Sequence, residues 1–169
     1  DENLRYDEGY TSATDGSAGD SFFRYQREGS LLQAVEMCSG VGHCRKKMSG
    51  TMCPSYMATL EEEHSTRGRA NALRAALSGR MPGGGMDSPE LARVMDLCLE
   101  CKACKSECPS SVDMARLKYE FLYLYHQANG YPVRNRLFGN ISEVSRLGSF
   151  FAPISNWLVK YSLTKEILD

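Results

Sequence analysis

The sequence predicts an all-α protein built from two similar helix–loop–helix units. Three observations point there. Apolar residues recur at three- and four-residue intervals across most of residues 30–138. A helix, cysteine loop, Cys-Pro, helix pattern occurs twice. Four of the seven cysteines fall between Cys98 and Cys108, where one tight loop can gather them.

Composition sets the outer bounds. The chain has 169 residues, 24% of them charged, with a net charge of −1. Phosphate binding by bulk charge needs a basic excess, so no nucleic-acid partner is expected. Mean hydropathy is −0.40. No apolar run approaches about 18 residues, so no transmembrane segment is expected. The chain begins at Asp1 without a Met or a signal peptide and stops at Asp169. The expectation is a piece of a larger protein.

Residues 1–28 hold seven acidic and three basic residues and are rich in Gly, Ser and Thr, which reads as a polar linker with one short strand at Phe22–Gln26. Ser30 caps the first helix and Gln33 completes a capping box, with Leu31, Val35 and Cys38 on one face. A second helix is predicted from Pro54 to about Glu63. A third runs from Ser65 to Gly79, with Ala70, Leu73 and Leu77 on one side. Met81–Met86 holds a proline and three glycines and reads as a loop. Asp87, Ser88 and Pro89 open the next helix, with Leu91, Val94 and Cys98 aligned. A long helix follows from Ser110 or Ser111, striped by Leu117, Phe121, Leu124 and Ala128 and ended by Gly130 and Pro132. Residues 29–138 thus form the main domain. Residues 139–169 form a C-terminal extension of two short helices broken near Pro153.

The repeat pairs Leu31, Val35 and Glu36-Met37-Cys38 with Leu91, Val94 and Asp96-Leu97-Cys98, and Cys53-Pro54-Ser55 with Cys108-Pro109-Ser110. The second loop reads Cys98-x2-Cys101-x2-Cys104-x3-Cys108-Pro109. This is iron–sulfur spacing: three thiolates wrap one cubane, and the fourth reaches the other cluster. Zinc prefers two separated Cys-x2-Cys pairs. An odd cysteine count at such short spacings does not suit disulfides. In the same register Cys38, Val41 and Cys44 take the three turn positions of the first loop, so Val41 stands where a cysteine would. Crossover then assigns Cys98, Cys101, Cys104 and Cys53 to a [4Fe–4S] cluster. It leaves Cys38, Cys44 and Cys108 for a second cluster, which suits [3Fe–4S]. Two alternatives stay open: His43 completes a second [4Fe–4S] cubane, or one cluster alone assembles.

Further strings carry a resemblance. Glu36-Met37-Cys38, Gly42-His43-Cys44-Arg45-Lys46, Gly50-Thr51-Met52-Cys53-Pro54-Ser55-Tyr56 and Glu63-His64-Ser65-Thr66-Arg67-Gly68-Arg69-Ala70-Asn71 resemble the iron–sulfur segment of large FAD-linked oxidases. These are similar to D-2-hydroxyglutarate, D-lactate and glycolate dehydrogenases. The Cys-x5-Cys with an apolar middle residue resembles the three-iron site of the succinate dehydrogenase iron–sulfur subunit. The resemblance implies a helical ferredoxin fold, FAD in a preceding domain of the parent chain, and a flavin that oxidises a 2-hydroxy acid. Electrons would then pass singly through this domain to a quinone or a carrier protein.

The remaining residues are weighed individually. Arg67 and Arg69 are expected near the clusters as supporting cations, against a solvated start of a helix paired with Glu61–Glu63. His43 reads as a loop residue, and His64 and His126 as surface or capping groups. Arg45-Lys46-Lys47 reads as a solvated run. Tyr119, Tyr123 and Tyr125 read as core with Phe121. Phe150, Phe151, Ile154, Trp157 and Leu158 form an apolar patch expected to pack on a missing domain rather than a membrane. No acid/base or nucleophile set is present, so the segment is expected to lack catalysis alone. The rival function is a structural or redox-sensing metal module. The expected location is the cytoplasm, peripheral to the inner membrane face.

Overall fold

The computed structural model describes residues 21–160. The described residues are helical and contain no strand: α1 Leu31–Glu36, α2 Pro54–Thr59, α3 Thr66–Leu77, α4 Pro89–Asp96, α5 Ala103–Glu107, α6 Met114–Asn129, α7 Val133–Gly139 and α8 Ile141–Lys160. Single 3-10 turns lie at His43–Arg45 and Glu62–His64. The all-α expectation holds.

Up to Gly130, α3 and α6 pack on each other, and α1 and α4 each pack on both. Shifting the sequence by the Cys38-to-Cys98 offset superposes the burial pattern. Leu31, Ala34 and Val35 are buried in α1, and Leu91, Val94 and Met95 are buried in α4. Leu73, Met114, Leu117 and Phe121 fill the space between them. Burying each such side chain contributes about 1.5–3 kcal/mol, offset by the entropy of ordering the chain.

Each cap follows from its sequence. Ser30 Oγ accepts from Gln33 N at 3.2 Å, and Ser65 Oγ from Gly68 N at 2.9 Å. Ser88 Oγ caps α4 through Glu90 N.

Several local expectations are corrected. Phe22–Gln26 is not a strand. The N–H groups of Phe22 and Phe23 donate to the Glu120 carboxylate at 2.7 and 3.0 Å, so these two are not free for a ladder. This segment, read as linker, packs on α6: Tyr25 is buried and Arg116 lies 4.2 Å over its ring. Helix α2 stops at Thr59 because Leu60 turns left-handed at φ +60°. The long helix starts at Met114 rather than Ser110 or Ser111. Ser111 is left-handed at φ +50°, and Asp113 is itself the cap, accepting from Arg116 N at 3.1 Å. Helix α5 was not foreseen.

Tyr131–Lys160 belong to a second compact unit that begins after Gly130, eight residues before the expected boundary. Here α7 packs with α8. Helix α8 runs through Pro153 instead of breaking there, and the break falls at Asn140. Pro153 forfeits one bond to the exposed Ser149 carbonyl, which solvent can satisfy. Phe150, Phe151, Ile154, Trp157 and Leu158 are exposed. No described helix is long and apolar enough to cross a membrane.

Candidate metal centres

The two cysteine loops share one backbone course. Gly40 and Gly42 flank Val41 with φ of +81° and +77°, and Glu100 and Lys102 flank Cys101 with φ of +54° and +61°. Left-handed backbone is easy for glycine and costs energy at glutamate and lysine. The second loop accepts that cost, which curls the chain around a common centre. The His43–Arg45 turn and α5 then start at matching positions and carry Cys44 and Cys104 inward.

The seven cysteines fall into two hollows. One is lined by Cys53, Cys98, Cys101 and Cys104, with Thr66, Arg69, Met114 and Ala115. The other is lined by Cys38, Cys44 and Cys108, with Val41, His43, Thr66 and Arg67. Each set mixes cysteines from both halves of the repeat. Val41 is 71% exposed and Cys101 is also exposed, so the middle position of each loop faces outward at the rim. His43 lines the three-cysteine hollow and is half-buried.

Helix N-termini point at the sulfurs. Thr66 N donates to Cys53 Sγ at 3.1 Å, and Arg67 N to Cys44 Sγ at 3.4 Å. Thr66 Oγ1 lies 2.8 Å from Cys53 Sγ. In α6, Met114 N and Ala115 N bond Cys104. These are the first N–H groups of each helix, which have no partner inside the helix and carry the positive end of its dipole. Ser65 and Asp113 occupy the third N–H of α3 and α6, leaving the first two for sulfur.

The Cys44 and Cys53 thiols act on each other. Cys44 is held at about 6, below the usual thiol range, first by Cys53 and then by Arg67 N–H. Cys53 is pushed up, first by Cys44 and then by burial. Burial also raises Cys104. A cluster of buried thiols ringed by N–H donors is a donor set that fits iron–sulfur clusters.

Arg67 and Arg69, expected as a pair, separate. Arg67 is 25% exposed, pairs with Glu62 at 2.7 Å and donates to Gly40 O at 3.2 Å. Arg69 is 1% exposed and lines the four-cysteine hollow. His64 is not a surface group: it is buried, with Nδ1 2.8 Å from Thr59 Oγ1. His126 Nδ1 lies 3.1 Å from Gly130 O at the end of α6. Arg45 and Lys46 are ion-paired, with Glu62 and Glu107, rather than simply solvated. Phe121 is core, whereas Tyr119 is 47% exposed.

Other residues were missed. Glu107 accepts from Thr51 N at 2.8 Å and Met52 N at 3.3 Å, which pins the longer first-unit segment just before Cys53. Lys118 donates to Asp96 O and Cys98 O at 3.2 and 2.8 Å and pairs with Glu100, which fixes the second loop. Its place beside Leu117, in the apolar stripe of α6, was the available signal.

Comparison with known proteins agrees with the donor chemistry. Residues 37–113 match the family described as a 4Fe–4S dicluster domain. The D-2-hydroxyglutarate dehydrogenase of Escherichia coli (strain K12) is 25% identical over 167 residues, covering 78% of this chain and 16% of that protein. The enzyme of the same name from Pseudomonas putida (strain KT2440) is 29% identical over 136 residues, covering 62% of this chain and 14% of that protein. The probable glycolate oxidase iron–sulfur subunit of Bacillus subtilis (strain 168) is 31% identical over 111 residues, covering 65% of this chain and 22% of that protein. The chain therefore spans a minor part of the curated relatives' length. No solved structure gives a significant match. The resemblance to the iron–sulfur segment of D-2-hydroxyglutarate dehydrogenases and glycolate oxidases is borne out.

Proposed function

Starting from the match of residues 37–113 to a 4Fe–4S dicluster domain, we propose that this chain is the electron-transfer segment of an FAD-linked 2-hydroxy acid dehydrogenase. Its donor is a flavin domain of the same parent chain. Its acceptor is a quinone or a carrier protein. The observation that carries the reading is the division of the seven cysteines into one hollow of four and one of three, each drawing on both repeats.

In this reading Cys53, Cys98, Cys101 and Cys104 hold a [4Fe–4S] cluster. Cys38, Cys44 and Cys108 hold a second, of the [3Fe–4S] type because Val41 offers no thiolate. Such clusters, when bound, supply one-electron chemistry that a two-electron flavin cannot deliver alone. The chain's own residues set the conditions. The N–H groups of Thr66, Arg67, Met114 and Ala115 favour negative charge on the sulfurs. Burial of Cys44, Cys53 and Cys104 excludes water. Thr66 lines both hollows and forms the wall between the centres. The exposed apolar side chains of α8 are the surface that meets the rest of the parent chain. The reading implies a cytoplasmic protein, peripheral to the inner membrane face, whose isolated segment is not catalytic.

Anaerobic purification with iron, sulfide and zinc analysis tests this function. The expected product is brown, contains sulfide, and is reversibly reduced and reoxidised. Stoichiometric zinc without sulfide would replace electron transfer with the structural or sensing module.

A further inference from the structure

Arg69 is the bulkiest of the fully buried side chains, and nothing acidic bonds it. Its Nε donates to Val94 O at 3.1 Å, Nη1 to His64 O at 2.6 Å and Nη2 to Ser55 Oγ at 3.0 Å. Two carbonyls and a hydroxyl satisfy its geometry but not its charge. A buried cation without a counter-charge is strongly unfavourable. Glu63 feels the Arg69 charge, but its carboxylate is gripped by Arg93 through two bonds of 2.7 and 3.0 Å. Glu100 lines the same hollow as Arg69 but is paired with Lys118 at 3.1 Å, and the remaining negative groups there are sulfurs. Arg69 lines the hollow of Cys53, Cys98, Cys101 and Cys104, and burial disfavours its charge while negative charge on Cys98, Cys53 and Cys104, and then on Cys44 of the other hollow, favours it.

Arg67 has no such need, because Glu62 already neutralises it. Gly68 enforces the division. A Cβ there would sit 2.0 Å from Glu62 O, so the first turn of α3 lies directly on the 62–63 backbone. Residues two apart on a helix point to nearly opposite sides, which sends Arg67 outward and Arg69 inward. The guanidinium also joins two chain segments: Ser55 and His64 follow Cys53, and Val94 precedes Cys98.

We propose that Arg69 is the main counter-charge of the four-cysteine centre, raising the reduction potential of that centre more than that of the three-cysteine centre. This rests on the reading that these four cysteines hold a cluster. A fixed cation in a dry site stabilises the reduced, more negative form.

The test is the full chain, purified anaerobically as wild type, Arg69→Gln and Arg69→Lys, with iron and sulfide counts and redox titration followed by EPR. In Arg69→Gln the four-iron signal should appear only at a more negative potential, with the midpoint of the three-iron signal shifted less. Arg69→Lys, which keeps the charge, should titrate close to wild type. If Arg69→Gln fails to assemble, Arg69→Lys that assembles and titrates near wild type still supports the proposal. It is overturned by an unshifted four-iron signal, by equal shifts at both centres, by Arg69→Lys titrating like Arg69→Gln, or by loss of the cluster in both variants. A wild type without a four-iron signal overturns the underlying cluster reading instead.

Discussion

The Thr66 N–H meets Cys53 Sγ at 3.1 Å, so the first residue of α3 touches a first-unit cysteine that lies in the hollow of the second-unit loop. The Thr66 hydroxyl lies 2.8 Å from the same sulfur. Thr66→Val keeps the backbone donor and removes the hydroxyl. A donor lost at a ligand sulfur should lower the potential of the four-cysteine centre without loss of iron, at a stability cost on the order of 1 kcal/mol. Redox titration checks this. An unchanged potential means the hydroxyl does not donate to sulfur.

Gly68→Ala should be damaging although alanine is the better helix former. The new Cβ would lie 2.0 Å from Glu62 O and 2.9 Å from Glu63 Cα, and both are backbone atoms that cannot turn aside. Overpacking of this kind costs about 1–3 kcal/mol or more. Anaerobic thermal unfolding should show a clear fall in Tm. A Tm equal to or above wild type would mean that α3 does not rest on the 62–63 backbone.

Glu120→Ala should free the leading segment. Glu120 is fully buried and accepts from the backbone of Phe22 and Phe23 and from Tyr25 Oη. Leaving those donors without an acceptor costs about 1–3 kcal/mol for each that stays buried. Limited proteolysis should cut within residues 21–28 faster in the variant, with the clusters retained. Equal cleavage rates would contradict this anchoring.

The four-cysteine spacing and the matched loops were legible because their ligands lie three or four positions apart, a distance local geometry controls. The register of Val41 on Cys101 was legible for the same reason. The leading segment was misread because its acceptor, Glu120, lies 98 positions beyond Phe22. The start of α6 was misread because Ser111 is left-handed, with its N–H bonded to Cys108 O at 2.8 Å, a turn that helix propensity does not encode. The separation of Arg67 from Arg69 was available in principle, since residues two apart on a helix cannot share a face.

Acid should weaken the support around α3. Against the burial that raises it, Arg67 and then Arg45 hold the Glu62 carboxyl below its ordinary 4.5. A depressed carboxyl contributes stability above its unfolded value and loses it as pH falls through the folded value. Glu62→Gln should therefore be less stable than wild type near neutral pH, with the gap narrowing as pH drops below 4.5. Denaturant unfolding across that range measures it. A gap that widens toward acid would reverse the sign and reject the assignment.

The crossing of ligands between the two repeats is tested most directly by EPR and iron counting on the single variants Cys53→Ser and Cys108→Ser. Cys53 lies with Cys98, Cys101 and Cys104, and Cys108 lies with Cys38 and Cys44. The wild type should hold about seven irons, with a three-iron signal when oxidised and a four-iron signal when reduced. Cys108→Ser should damage the three-iron signal and spare the four-iron one, and Cys53→Ser should do the reverse. Selective loss of the four-iron signal in Cys108→Ser would contradict the crossover and assign each cluster to the cysteines of its own loop.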